Sequence, residues 1–351
     1  MDDIKTTADG ETAGSTAEPT ASAATTYQAW SGSDVSKATL DSCLLLENGK
    51  MTFGKFSNDQ QGHSQLLKWA MRLSKGASIH FCMEATGSYS TAFAMYLADA
   101  KQMVSVVNPS FSHYWMLSRG YGNKTDKADG KAMAEYCKSE KPSFWRAASL
   151  EVRELTALVR HYDNLVEHVT QLKNRLSGPE VTSLVRKSLD RMLKAAQAEI
   201  TDVKKQIDRH VDNTPSLKRD RDLLITIPGI AGMTAAKILA DLPDVSQFES
   251  ATVAAKYAGL SPSQYESGTS VRRKTQLIRA GNRHLKTCLY MPAMSAIRCN
   301  EPVMLIYKRL IAKGHKGKSA LAAAMRKLLM IAVGVLKNQQ PFRADFATAT
   351  V

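Results

Sequence analysis

Four carboxylates stand out by position. Asp34 sits in "SGSDVSK" at the end of a strand pattern, and Glu84 closes another, "SIHFCME". Asp126 and Asp129 are three apart in "NKTDKADGKAMAEYC", a spacing that puts both on one face of a helix. Carboxylate oxygens are what a hard divalent cation needs, and Mg2+ takes few protein ligands beside water and substrate phosphate. Two such ions can stabilise the attacking and leaving oxygens of a phosphodiester displacement. A second stretch, "SQYESGTSVRRKTQLIRAG" from Ser263 to Gly281, sets the hydroxyls of Ser263, Ser267, Thr269 and Ser270 against Arg272, Arg273 and Lys274. It holds no histidine, so a nucleophile there needs activation from elsewhere.

The elements that must position these groups follow from pattern. "YQAWSGSD" and "ATLDSCLLLENGKMTFGKF" read as strands, with Asn48-Gly49 as a hairpin turn. A helix near 60–74, a strand ending at Glu84, a helix around 89–100, a strand at 103–107 and a helix at about 126–138 follow. Three strands and then alternating helix and strand is the order of an RNase H-like α/β layer. From Leu155 the apolar residues Leu158, Tyr162, Leu165, Val169, Leu172 and Leu176 make a heptad seam, which Gly178-Pro179 breaks. A second series, Val185, Leu189, Met192, Ala196, Ile200, Val203 and Ile207, predicts another long helix. The two helices could pair with each other or with a second copy. "LLITIPGIAGMTAAKILADL" at 223–242 fits a helix-hairpin-helix or an ordinary tight turn equally. The last 70 residues read mostly as helix, with a basic loop "KGHKGK" carrying Lys316 and Lys318.

The net charge is +14, and all of it lies between Ser267 and Lys337, where fifteen Lys or Arg meet one acid, Glu301. The rest balances at 32 bases and 32 acids. One contiguous basic region is the footprint of a polyphosphate partner. Five cysteines with no CxxC pair argue against a disulfide framework or a zinc ribbon and fit a reducing cytoplasm. His284 and Cys288, four apart, are a weak ligand pair. No apolar run of about 18 residues is expected to span a membrane. Residues 1–27, rich in Thr, Ala, Ser and acids, read as a disordered leader that is neither a secretory signal nor a mitochondrial presequence.

The motifs together resemble a DEDD-type insertion-sequence transposase, of the family understood as bridge-RNA-guided serine recombinases. Asp34 in "SGSDVSK", "EATGSY" with Glu84, "VSVVNPS" and the block from Asn123 to Cys137 carry the first half. "IPGIAGMTAA", "AGLSPSQYESGTSVR", "LYMPAM" and "MRKLLMIAVGVLK" carry the second, so the likeness spans about 30 to 342. It implies a RuvC-like domain at 28–146 with Asp34, Glu84, Asp126 and Asp129 around Mg2+ (Mn2+ as substitute). A coiled-coil segment at 147–217 and a mainly helical transposase domain at 218–351 follow.

The likeness also implies that Ser267 is a nucleophile that becomes covalently joined to DNA, with Thr269 and Ser270 positioning phosphate or capping a helix. Arg272, Arg273 and Lys274, with Lys316 and Lys318, would hold nucleic acid. DNA, a guide RNA and further copies of the chain, as dimer or tetramer, are the implied partners, with no membrane, in a bacterial cytoplasm at the nucleoid. Two departures stand against the family pattern. Ser33 precedes Asp34 where an apolar residue is usual, and the acidic leader is long. Rival readings are a RuvC-like nuclease using metal-bound water, with Ser267 idle, and a non-enzymatic nucleic-acid-binding protein.

Overall fold

The computed structural model describes residues 28–121, 125–179, 181–242, 244–263, 266–267, 271–272, 276–278 and 281–344. The side chains of Ser88, Asp126, Glu266, Ser267, Val271 and Arg272 lie outside this description. The chain divides into two compact units between Ala147 and Ala148.

The first unit is a five-stranded sheet with helices on both faces. In chain order its elements are β1 (Ala29–Val35), β2 (Thr39–Leu46), β3 (Met51–Ser57), α1 (Gln60–Leu73), β4 (Ile79–Glu84), α2 (Ser88–Asp99), β5 (Met103–Val107), α3 (Pro109–Ser118) and α4 (Asp126–Glu140). The strands lie in the order β3-β2-β1-β4-β5. β1, β2 and β3 pair antiparallel, whereas β4 runs parallel to both β1 and β5. The Asn48-Gly49 turn closes the β2–β3 hairpin as expected, with Leu45 opposite Met51. Alternation along the strands splits the core in two. Ala29, Leu40, Leu44, Phe81 and Met83 pack with α1 and α2, whereas Trp30, Cys43, Leu45 and Cys82 pack with Met133 and Cys137 of α4.

Helix α3 was not foreseen. Asn108 caps it, accepting from Ser110 N at 2.9 Å, and Pro109 opens it. Ser33, where the resemblance leads one to expect an apolar residue, is accommodated inside the sheet. It is buried, and its hydroxyl bonds that of Ser42, its cross-strand partner, at 2.8 Å.

The second unit is mainly helical. It begins with α5 (Leu150–Leu176) and α6 (Ser183–Asn213), and α7 (Pro215–Ile225), α8 (Gly232–Asp241) and α9 (Ala251–Tyr257) follow. Four two-residue strands come next, β6 (Pro262–Ser263), β7 (Glu266–Ser267), β8 (Val271–Arg272) and β9 (Gln276–Leu277). The chain then forms α10 (Arg283–Cys288), α11 (Tyr290–Cys299), α12 (Glu301–Ala312) and α13 (Gly317–Asn338). α5 and α6 pair with each other in antiparallel fashion. Leu172 packs with Leu189 toward one end, and His210 bonds the Glu151 carbonyl at 2.8 Å at the other. The α6 seam differs from the expected series, because Val185 and Met192 are exposed while Leu193 joins the core. Leu155, Val159, Val203 and Ile207 share one core with α8 and α13, so the helical hairpin is rooted in this unit.

By length and composition α13 is apolar enough to cross a membrane, although Arg326 and Lys327 interrupt its apolar run, and it is mostly buried in this core.

Candidate active site

Two of the expected carboxylates are brought side by side by strand pairing. Ser33 of β1 is paired with Met83 of β4, so Asp34 and Glu84 are the next residues of neighbouring parallel strands. Adjacent strands are about 4.8 Å apart. Alternation sends both residues to the face that carries α4, because Trp30 and Cys82 are buried against that helix.

The N-terminus of α4 lies at the same end of the sheet. Lys138, in its last turn, stacks over Trp30 at the start of β1, at 4.8 Å. Gly130, in its first turns, meets Gly32 and Asp41 near the other end. A Cβ at Gly32 would stand 2.1 Å from the backbone N of Ala134 and 2.4 Å from the Gly130 carbonyl. Glycine at both positions lets the helix rest directly on the sheet, and this carries Asp126 and Asp129 toward the strand ends. Thr125 caps the helix, accepting from Ala128 N at 3.2 Å. The partial positive charge of that terminus favours carboxylates nearby.

Two contributors escaped the sequence reading. Ser112 of α3, 1% exposed, donates to Glu84 Oε1 at 2.5 Å. Only the unforeseen helix brings it there. The Asn108-Pro109 dipeptide was the available signal, as a cap followed by a first-turn proline. Asp41 is the other. It lies opposite Asp34 across the β1–β2 ladder and is ion-paired to Lys55 at 3.0 Å. Like charges directly opposite repel, and Lys55 offsets this.

The donor set of the four expected residues is all carboxylate oxygen, which suits Mg2+ and not a soft metal. Among the described residues no group of three or more His, Cys, Asp or Glu closes into a metal cluster. The Asp126 side chain is outside that set. The His284–Cys288 pair gains no support: the Cys288 thiol is pushed up to about 12 by burial and donates to the Leu285 carbonyl at 3.2 Å.

In the second unit the described residues of the hydroxyl-rich stretch form two short antiparallel strand pairs. Pro262 pairs with Leu277 and Ser263 with Gln276, then Glu266 with Arg272 and Ser267 with Val271. Ser267 is therefore a strand residue, the last paired one before Gly268. Thr269, Ser270, Arg273 and Lys274 lie outside the described residues. Arg326 anchors the chain just before the first pair, donating to Ser261 Oγ at 3.0 Å. Lys316 and Lys318 are exposed at the start of α13, beside Lys308, Arg309 and Lys313 of the preceding helix and turn. Not every base in the segment faces outward. Lys327 is 7% exposed, and Lys337 donates to the Phe248 carbonyl.

The turn between α7 and α8 is backed by α11. Gly229, at φ +101, holds a Cβ-free approach to Ala296, and Asn300 Nδ2 donates to the Pro228 carbonyl at 3.2 Å.

Comparison with known proteins gives a consistent picture. Residues 31–178 match a DEDD family of IS110 elements described as transposase, and residues 221–308 match the transposase IS116/IS110/IS902 family. A pilin gene-inverting protein of Moraxella bovis is 33% identical over 314 residues, covering 89% of this chain and 96% of the relative. Its counterpart in Moraxella lacunata is equally similar, at 33% over 314 residues. The transposase for insertion sequence element IS1111A of Coxiella burnetii is 22% identical, covering 89% of this chain and 90% of the relative.

Proposed function

Because this chain belongs to the IS116/IS110/IS902 family of transposases and is a DNA transposase or recombinase, we propose that it exchanges DNA strands through a covalent bond to Ser267, assisted by Asp34, Glu84, Asp126 and Asp129. The observation that carries this reading is the placing of Asp34 and Glu84 on adjacent parallel strand ends, on the face where α4 begins. The strand order β3-β2-β1-β4-β5, with three antiparallel strands and two parallel ones, supports an RNase H-like, RuvC-like first unit.

The four carboxylates would hold Mg2+, which, when bound, supplies charge neutralisation at the attacked phosphate and favours the ionised hydroxyl. The chain's own residues do the rest. Ser112 fixes one oxygen of Glu84, so the other keeps a set direction. Ser267 gives up its proton and its Oγ bonds phosphorus, while the phosphorus–oxygen bond to the leaving strand breaks and that strand's oxygen takes up a proton. Arg272 and Arg273 hold the non-bridging oxygens, which guanidinium groups do in pairs. In the second step a hydroxyl of the new partner strand attacks the phosphoserine and Ser267 leaves. One phosphoester replaces another each time, so no external energy is needed.

Resemblance further supports a bridge RNA that selects the DNA, and an assembly in which one protomer's carboxylates serve another's serine. The exposed bases around the start of α13 suit phosphate backbones of either nucleic acid.

The test is strand exchange on a DNA substrate with the protein and its RNA. Asp34→Asn and Glu84→Gln are each expected to lower exchange at least about 100-fold, with DNA binding within about threefold, since the carboxylates act on the reaction and not on docking. Excess chelator is expected to stop exchange. Normal turnover in chelator would refute the metal assignment.

A further inference from the structure

The outer face of α3 is aromatic and uncovered. Phe111 is 58% exposed, Tyr114 70% and Leu117 55%. The spacing i, i+3, i+6 keeps these three on one side. His113 and Tyr114 have ring centroids 5.7 Å apart. The inner side is firmly seated. Ser112 donates to Glu84, Trp115 Nε1 donates to Glu140 at 3.0 Å, and the Trp115 ring meets Tyr136 edge-on at 5.6 Å. The helix therefore holds its outer rings rigidly, and Phe111 is the sequence neighbour of the residue that touches Glu84.

We infer that Phe111 and Tyr114 form a stacking platform for nucleobases of DNA that are unstacked beside the phosphate being cut. This rests on the proposed role of Glu84 and its neighbours, and goes beyond it by assigning a base-contacting surface. Three observations favour DNA bases as the occupant. First, the helix that presents this face touches the candidate site through Ser112 on its inner side, so whatever covers the face lies about one helix diameter, ~10 Å, from Glu84. Second, α3 contains no acid and is followed by Arg119, whose guanidinium sits 5.4 Å over the Trp115 ring. A helix with exposed aromatic rings, no acid and a cation one residue beyond its end suits a polyanion with flat bases. Third, the patch is small. At 150–250 Å2 per aromatic side chain and 58% and 70% exposure, Phe111 and Tyr114 offer roughly 200–320 Å2, less than half the ~800 Å2 per partner of a standard protein interface. Stacking is sequence-tolerant because every base has a π-face. The platform would thus hold DNA open without reading it.

The experiment uses the full chain and single-stranded DNA carrying 5-iododeoxyuridine, irradiated in the presence of chelator. Crosslinks are located by mass spectrometry. We expect them on the peptide containing Phe111 and Tyr114. Phe111→Ala with Tyr114→Ala is expected to remove these crosslinks and weaken single-strand binding roughly 10- to 100-fold, whereas Tyr114→Trp retains both. The chelator and the absence of strand exchange make this readout independent of catalysis. Loss of exchange in Glu84→Gln with no crosslink at α3 would discard the platform and leave the catalytic reading standing. Crosslinks found only in the second unit would overturn the inference. So would a double variant with unchanged DNA affinity but a smaller oligomer, which would give the face to another copy of the chain. If the double variant does not fold, the crosslink position in the unaltered protein decides the matter alone.

Discussion

Ser112 holds one oxygen of Glu84 in place, and the bond is to a charged acceptor from a buried donor. Such a bond contributes about 1.5–3 kcal/mol. Its effect on a metal-holding carboxylate is typically ~10- to 100-fold in affinity or activity. Ser112→Ala is therefore expected to lower strand exchange by ~10- to 100-fold and to raise the Mn2+ concentration needed for half-maximal binding, read by electron paramagnetic resonance. Ser112→Thr, which keeps the hydroxyl, should recover part of both. Unchanged Mn2+ binding in Ser112→Ala would reduce Ser112 to a packing role. At this scale the sequence places the four expected acids at strand ends and on a helix, but not the residues that contact them. Asp34, Glu84, Asp126 and Asp129 are legible because strand ends and helix faces follow from local pattern. Ser112 and Asp41 depend on pairing between distant segments, which periodicity does not encode.

The close seating of α4 on the sheet is the element-scale feature that the site depends on. Gly32→Ala puts a methyl group into the backbone of α4, with no flexible side chain to yield. Overpacking of this kind costs about 1–3 kcal/mol or more. The first unit should unfold at lower urea concentration, and strand exchange should fall further than stability alone explains, because the helix carrying Asp126 and Asp129 must lift. A variant as stable and active as the parent would show that the contact is not needed.

β4 supplies a second test. Burial lowers the His80 pKa from 6.5 to about 4, and its Nε2 lies 2.8 Å from Ser105 Oγ. The folded state thus takes up its proton later than the unfolded chain as pH falls. Stability is full above 6.5 and declines between 6.5 and about 4, by about 3 kcal/mol at most. His63, also lowered by burial, acts in the same direction. Urea midpoints at pH 7, 5.5 and 4.5 should show the decline, and His80→Asn should flatten part of it. An unflattened profile would assign the decline to other groups. Most elements were legible from apolar spacing and turn residues. α3 was not, because Phe111, Tyr114 and Leu117 face outward and blur the apolar period. The α6 seam was misplaced for a related reason: Val185 and Met192 fit the heptad but are exposed.

Across the whole molecule the charge pattern was legible in sequence, since all of the net +14 falls in one segment. Its division between surface and interior was not. Lys316 and Lys318 face outward, whereas Arg326, Lys327 and Lys337 tie α13 into its core or to neighbouring loops. α13 has the length and mean composition of a span, but Arg326 and Lys327 interrupt its apolar run and most of it is buried. The proposed carboxylates lie in the first unit and the Ser267 strand pair in the second. In the proposed function both serve one reaction, in which the serine carries the DNA. The most direct measurement traps the reaction on a DNA substrate, digests the nucleic acid and locates the remaining nucleotide by mass spectrometry. The expected result is a nucleotide on the peptide containing Ser267, absent in Ser267→Ala and strongly reduced in Asp34→Asn. A nucleotide on Ser270, or full strand exchange by Ser267→Ala, would contradict it.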